Sequence, residues 1–264
     1  MGNREEIVKG FYARYKEENR LDGSIQGKVE YLTTMHYIHK FLGEGAKVAE
    51  IGAGTGRISI ALAKEGYNVT SVEYSDANFE KLKANAEGVD NIKVFHGDAV
   101  NLEMLPDGEF DVTLLFGPMY HLYDKKDQMA ALREAKRITR PGGKVLIAFL
   151  SVHAIMYTNY IWNREADFDA GYRENFDENL EVKHFPEQLF TGFNIDEFEK
   201  LVEESGLKRI TTVSADGMLE LACQTEKFGL NEDNLDLFMK YHLAYCETRE
   251  LLGGASHLIL VTER

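Results

Sequence analysis

The stretch Val48-Ala49-Glu50-Ile51-Gly52-Ala53-Gly54-Thr55-Gly56 leaves little choice of fold. It reads as an apolar strand that ends in an acidic residue and passes through a glycine-rich turn into a helix. Such a turn opens a βαβ unit, and successive units of that kind build a mostly parallel sheet covered by helices. Glycine lets the backbone turn sharply, and it lets a flat ligand approach main-chain atoms with no Cβ in the way. Many α/β proteins use a glycine-rich turn only as a tight connection, so any cofactor has to be read from spacing.

A dinucleotide fold uses G-x-G-x-x-G, whose third glycine allows close packing of helix on strand beside a pyrophosphate. Here Gly56 comes one position early, and Arg57 stands where that glycine would be. A phosphate-cradling loop needs G-K-[ST] after a four-residue spacer, and that is absent. The next strand ends at Glu73, seventeen positions after Gly56. A carboxylate there can accept hydrogen bonds from both hydroxyls of a ribose. After the third strand, Gly97-Asp98-Ala99 offers a carboxylate for an adenine amino group and an amide for a ring nitrogen. Glu73 alone reads equally well as a solvated strand end, and Gly-Asp as a common turn.

From Lys47 to Leu150, short β-branched runs alternate with helical patterns. Strands are expected at Lys47 to Ile51, Asn68 to Glu73, Ile92 to His96, Phe110 to Phe116 and Lys144 to Leu150. Helices are expected near Arg57 to Glu65, Asp76 to Glu87, with Ser75 as its cap, and Asp127 to Thr139. Arg140-Pro141-Gly142-Gly143 should end the last of these and turn the chain into the fifth strand. Asn194, with Glu197 three residues on, predicts a capped helix closed by Gly206, then a strand at Leu207 to Val213. A final strand is expected at His257 to Thr262. The first 45 residues read as two helices, near Arg4 to Glu18 and Lys28 to Leu42. The whole is expected to be one domain, with a helical cap (1–45), a cofactor-binding core (46–150) and two lid insertions (151–193 and 218–256). Cap and lids should cover the strand ends where an open α/β sheet binds ligands.

Composition narrows the partners. The formal charge is −14, with acidic residues spread along the chain, which disfavours a nucleic-acid or anionic-lipid surface. Only Cys223 and Cys246 are present, far apart and outside any Cys/His cluster, so neither a disulfide framework nor a metal site is expected. Asn3, Arg4, Glu5 and Glu6 precede any apolar stretch, and the longest apolar run, Val145 to Leu150, is far short of a bilayer span. These features fit a cytoplasmic chain without signal peptide or membrane helix.

Taken in order, Glu50-Ile51-Gly52-Ala53-Gly54-Thr55-Gly56, Glu73, Gly97-Asp98-Ala99, Asp111 to Gly117 and Arg140-Pro141-Gly142-Gly143 resemble the class I S-adenosylmethionine-dependent methyltransferases, in particular a subset of small bacterial members. The resemblance covers about Lys47 to Leu150. It implies a Rossmann-like α/β fold with a seven-stranded mixed sheet whose last strand is antiparallel. It implies S-adenosyl-L-methionine as cofactor, with Gly52, Gly54 and Gly56 near its methionine part, Glu73 at the ribose, Tyr74 against the adenine face, and Asp98 with Ala99 at the adenine edge. Glu50, Ala53, Phe116 and Gly117 complete the implied cofactor site. Phe116-Gly117-Pro118-Met119-Tyr120 departs from the Asp- or Asn-Pro-Pro-aromatic sequence of methyltransferases acting on exocyclic nitrogens, and the polar holder of that sequence is missing. No trio of metal-binding residues like that of catechol-type enzymes is assignable.

The expected activity is in-line transfer of a methyl group to a small-molecule acceptor of unassigned identity. A non-catalytic module binding the same cofactor, or an NAD(P)-dependent oxidoreductase, are the alternatives. His121, just beyond the fourth strand with Tyr120 beside it, is the candidate general base; a histidine satisfied by local hydrogen bonds is the alternative. Tyr12, Tyr15 and Arg20 would touch the cofactor if the first helix folds over it; half-buried surface residues are the simpler reading. His36 and His39 are candidate acceptor contacts or lid packing. Tyr157, Tyr160 and Trp162 would form an apolar wall or lid core, and His242 reads as core.

Overall fold

The computed structural model describes residues 2–15, 20–162, 167–225 and 227–264. In chain order the elements are α1 (Gly2–Tyr12), α2 (Ile25–His39), β1 (Lys47–Ile51), α3 (Arg57–Lys64), β2 (Asn68–Glu73), α4 (Asp76–Asn85), β3 (Ile92–His96) and β4 (Phe110–Leu115). A 3₁₀ turn at Pro118–Tyr120 leads to α5 (Lys125–Ile138) and β5 (Thr139–Ser151). Then follow α6 (Val152–Ile155), a π-helical stretch Met156–Trp162, α7 (Phe168–Asn175), β6 (Gly192–Phe193), α8 (Ile195–Glu204) and β7 (Lys208–Ser214). The chain closes with α9 (Leu219–Ala222), α10 (Leu235–Tyr245), α11 (Arg249–Leu252) and β8 (His257–Glu263).

The strands form one mixed sheet in the order β3-β2-β1-β4-β5-β8-β7. β1 to β5 run parallel, and β8 lies antiparallel between β5 and β7. The parallel centre is apolar on both faces because helices cover both: Val48, Ala49, Ile51, Val112, Leu114 and Leu115 are buried, at 1% exposed or less. The chain builds outward from β1 through β2 and β3, then returns to lay β4 on the other side of β1. The C-terminal ends of β1 and β4 therefore flank a topological switch point, the crevice where open α/β sheets take ligands.

The sheet has eight strands among the described residues, one more than expected. β4 pairs with β5 as far as Ile147, and the two-residue β6 takes the vacated edge at Leu150 and Ser151. The Arg140-Pro141-Gly142-Gly143 turn is an irregularity within β5 rather than a connection before it, since Phe110 pairs with Thr139 but Val112 with Lys144.

Two expected caps take other forms. Ser75 precedes α4 without a side-chain capping bond, and its hydroxyl has no partner among the described residues. Asn194 does not cap α8 with its side chain; its Oδ1 lies 2.8 Å from His153 Nε2. The first expected helix ends at Tyr12, and its reading through residues 16–18 lies outside the described residues. No helix among the described residues is long and apolar enough to cross a membrane.

Candidate functional site

A cavity of about 920 Å³ opens at the switch point, toward the upper end of the roughly 300–1,000 Å³ range of small-molecule sites. Its floor is the turn after β1. Gly52, Gly54 and Gly56 all have positive φ, at 84°, 56° and 90°. A Cβ on Gly52 would overlap the Phe116 carbonyl oxygen and the Pro118 ring, so the turn after β1 touches the turn after β4 with no room for a side chain. Gly52 and Ala53 donate backbone hydrogen bonds to the Val72 carbonyl at 2.8 and 3.1 Å, which ties the turn to β2.

Glu73, buried at the end of β2, accepts from the Gly54 and Ser75 amides, both at 2.8 Å. Its carboxylate lines the cavity, and an ionised carboxylate is an acceptor only, suited to a ligand hydroxyl. Beside it, Asn78 is 2% exposed and lines the cavity, and its Oδ1 has no partner among the described residues. A ribose hydroxyl would supply the missing donor, so the wall fits an adenosyl group. Glu50 accepts from the Ser59 hydroxyl, and burial holds its carboxyl up to about 7.

Glu50, Gly52, Ala53, Gly54, Glu73, Tyr74, Asp98, Ala99, Phe116 and Gly117 all line this one cavity. Gly56 does not. It begins α3, and a Cβ there would meet the side chains of Leu82 and Ile60, so its small size serves helix packing behind the turn. Asp98 lines the wall with its carboxylate already engaged: Arg4, from α1, donates to both oxygens at 3.1 Å. Arg4 also lies 4.9 Å from the centre of the Tyr74 ring. α1 thus covers the adenine end of the expected site.

The opposite end is assembled from segments distant in sequence. His121 is 6% exposed, with Nδ1 2.7 Å from the Leu189 carbonyl oxygen and Nε2 3.0 Å from the Tyr12 hydroxyl. A carbonyl can only accept, so Nδ1 carries the hydrogen and Nε2 accepts from Tyr12. Burial pulls the imidazole down to about 4, which keeps it neutral near pH 7. Tyr120 lines the cavity with its ring centre 6.3 Å from those of both His121 and His257.

Of the other sequence candidates, Tyr12, Tyr15, Arg20 and Tyr160 line the cavity. Tyr157 and Trp162 are about half exposed and stand outside it. His36 and His39 are exposed on α2, and His39 pairs with Glu65 at 2.6 Å. His242 is 1% exposed and stacks on Phe238, a core position.

Asp216 and His257 were not among the sequence candidates. Where no metal site was expected, Asp216, Glu220 and His257 bring possible ligand atoms within 4.8 Å of one another. Hydrogen bonds account for the two inner members. Asp216 accepts from Gln26 Nε2 at 2.9 Å and from the His257 ring and amide, so its oxygens already face donors, and no ion is inferred.

Residues 48–143 match a family described as a methyltransferase domain. A demethylmenaquinone methyltransferase of Staphylococcus aureus is 27% identical over 226 residues, which cover 81% of this chain and 90% of the relative. Among solved structures, a Pyrococcus horikoshii OT3 protein is similar with a TM-score of 0.62 at 15% identity, covering 96% of this chain and 98% of that one. A possible histamine N-methyltransferase from Thermotoga maritima gives a TM-score of 0.55 at 20% identity, covering 98% of each chain. These two likenesses concern the fold. With the motifs gathered on one cavity and the matched stretch running from β1 into β5, the chain carries a methyltransferase domain and is similar to the class I S-adenosylmethionine-dependent methyltransferases, enzymes whose cofactor is S-adenosylmethionine.

Proposed function

We propose that this enzyme methylates a small-molecule acceptor held in the part of the cavity bounded by Tyr12, Tyr120, His121, Tyr160 and Phe190. The carrying observation is continuity: one cavity joins the glycine turn and Glu73 to the Tyr12–His121 pair. Bound S-adenosylmethionine supplies a methyl group on a sulfonium, whose leaving group needs no assistance. The protein's contribution is therefore chiefly positional, worth about 7–11 kcal/mol in favourable cases.

The residues divide that task. The Gly52–Gly54 turn and Glu73 hold the methionine and ribose portions, while Tyr74, Asp98 and Ala99 receive the adenine. Phe116 and Gly117, just after β4, line the same cavity. His121 acts through Tyr12: its bare Nε2 draws on the phenol hydrogen, so the Tyr12 oxygen can take a proton from an acceptor hydroxyl or amine as the methyl group arrives. Ring contacts among Phe11, Tyr12, Phe190 and His121 screen that proton from water. The Staphylococcus relative, named for a small-molecule substrate, supports the same acceptor class.

Incubating the purified protein with S-adenosylmethionine and fractionated metabolite extract, and following S-adenosylhomocysteine, tests the reading. Turnover in at least one fraction is expected. Tight cofactor binding with no turnover in any fraction would sink it.

A further inference from the structure

The acceptor end carries a second group of buried charges, separate from the Tyr12–His121 pair. His257 opens β8 opposite Leu150 and lines the cavity. Its Nδ1 lies 3.0 Å from Asp216 Oδ2 and 3.9 Å from Glu30 Oε2. Glu30 in turn accepts two hydrogen bonds from Arg20 Nη1, at 2.9 and 2.8 Å. Asp216 is fully buried, and Glu30 nearly so.

The direction in which this network faces follows from a count of its atoms. Both oxygens of Glu30 face Arg20, and both oxygens of Asp216 face Gln26 or His257. His257 Nδ1 is taken by Asp216. His257 Nε2 has no hydrogen-bond partner among the described residues, and the side chain is 20% exposed at the cavity wall. What the network offers the cavity is a donor, set beside the Tyr120 ring.

Two carboxylates on one imidazole fix its charge. Burial works against the charged ring, but Glu30 and Asp216 outweigh it, with Arg20 opposing, and hold His257 at about 9. Glu220, half-exposed nearby, adds a further carboxylate on the same side.

Building on the function proposed above, we infer that His257 binds the methyl acceptor through Nε2–H, and that the acceptor presents an anionic or carbonyl-type oxygen on a ring lying against Tyr120. Asp216 and Glu30 are positioning residues, which hold the tautomer and the charge. An ammonium acceptor would meet a like charge here and is disfavoured.

Calorimetry on the protein saturated with S-adenosylhomocysteine tests this with a matched pair of probes, 2-naphthoate and 2-naphthylmethylammonium. At pH 7.5 the carboxylate is expected to bind at least tenfold more tightly than the ammonium. His257→Gln should weaken the carboxylate about tenfold and leave S-adenosylhomocysteine affinity unchanged, which also shows that the variant is folded. Asp216→Asn should bring the alkaline loss of 2-naphthoate affinity down from about pH 9 toward the ordinary histidine range, a shift that loss of packing alone would not produce. Equal behaviour of wild type and His257→Gln, including no heat from 2-naphthoate in either, overturns the inference, as does preference for the ammonium. If S-adenosylhomocysteine fails to bind the wild-type protein, it is the cofactor reading beneath the inference that falls.

Discussion

The two ends of the cavity are built on different principles. At the adenosyl end the geometry belongs to the backbone: three positive-φ glycines shape one turn, and two amides from the loops after β1 and β2 fix Glu73. At the acceptor end it belongs to side chains drawn together from far apart, with Tyr12 bonded to His121 across 109 positions and Gln26 to Asp216 across 190. A backbone site tolerates almost no change of shape but is indifferent to most neighbouring side chains. A side-chain site can be re-specified one residue at a time while the sheet stays as it is, so the contrast predicts where specificity can change.

The sharpest way to break that contrast is at Gly52. Gly52→Val puts side-chain atoms into the Phe116 carbonyl and the Pro118 ring at a φ of 84°, and should cost about 2–3 kcal/mol of stability. Heat of S-adenosylhomocysteine binding should vanish; retained binding would show that the turn is not the cradle.

Next in size are Tyr12→Phe and His121→Gln. Each is expected to lower kcat by about 10- to 100-fold on an acceptor found in the extract assay, with S-adenosylhomocysteine affinity within about twofold of wild type. Loss of cofactor binding in either variant would erase the boundary between the two ends.

A third test uses pH. His121 sits at about 4 in the fold against the ordinary histidine value of about 6.5, so between those values the unfolded chain binds the extra proton and the folded one does not. Stability from this residue is present above pH 6.5 and is lost as pH falls through 4, by up to about 3 kcal/mol. Denaturant titrations at pH 7 and pH 5 should show a smaller acid loss in His121→Gln than in wild type. Equal losses would place the burial penalty elsewhere.

The smallest expected effect is at Arg4, whose guanidinium occupies both oxygens of Asp98. Arg4→Ala should change stability by less than about 1 kcal/mol, because the pair is partly exposed. It should tighten S-adenosylhomocysteine binding a few-fold if Asp98 receives the adenine. Weaker binding would instead make Arg4 itself a cofactor contact.

Legibility in the sequence follows the same divide. β1, β2 and β3 occupy the residues their apolar patterns predict, and the glycine turn, Glu73 and Asp98 could be placed on one wall by counting βα units. Order along the chain is order around the cavity there, so spacing carries geometry. His257 and Asp216 gave no such signal, because a histidine opening an interior strand and an aspartate in a loop acquire meaning only when α2 delivers Glu30 and Gln26. β6 is two residues long, too short for any periodicity to register. Gly56 shows the converse limit: a motif glycine can be present for helix packing, and only its neighbours Leu82 and Ile60 reveal that.

α1 touches both ends of the cavity at once. Arg4 and Tyr12 lie eight positions apart on a single helix, about 12 Å along its axis. A swing of that helix wide enough to release Asp98 also pulls the phenol away from His121. Release of Asp98 for the nucleoside and the Tyr12–His121 bond are thereby mechanically joined, so where adenine must displace Arg4 each should weaken the other by the same factor. The departure of this one helix would then set the pace at which spent nucleoside leaves.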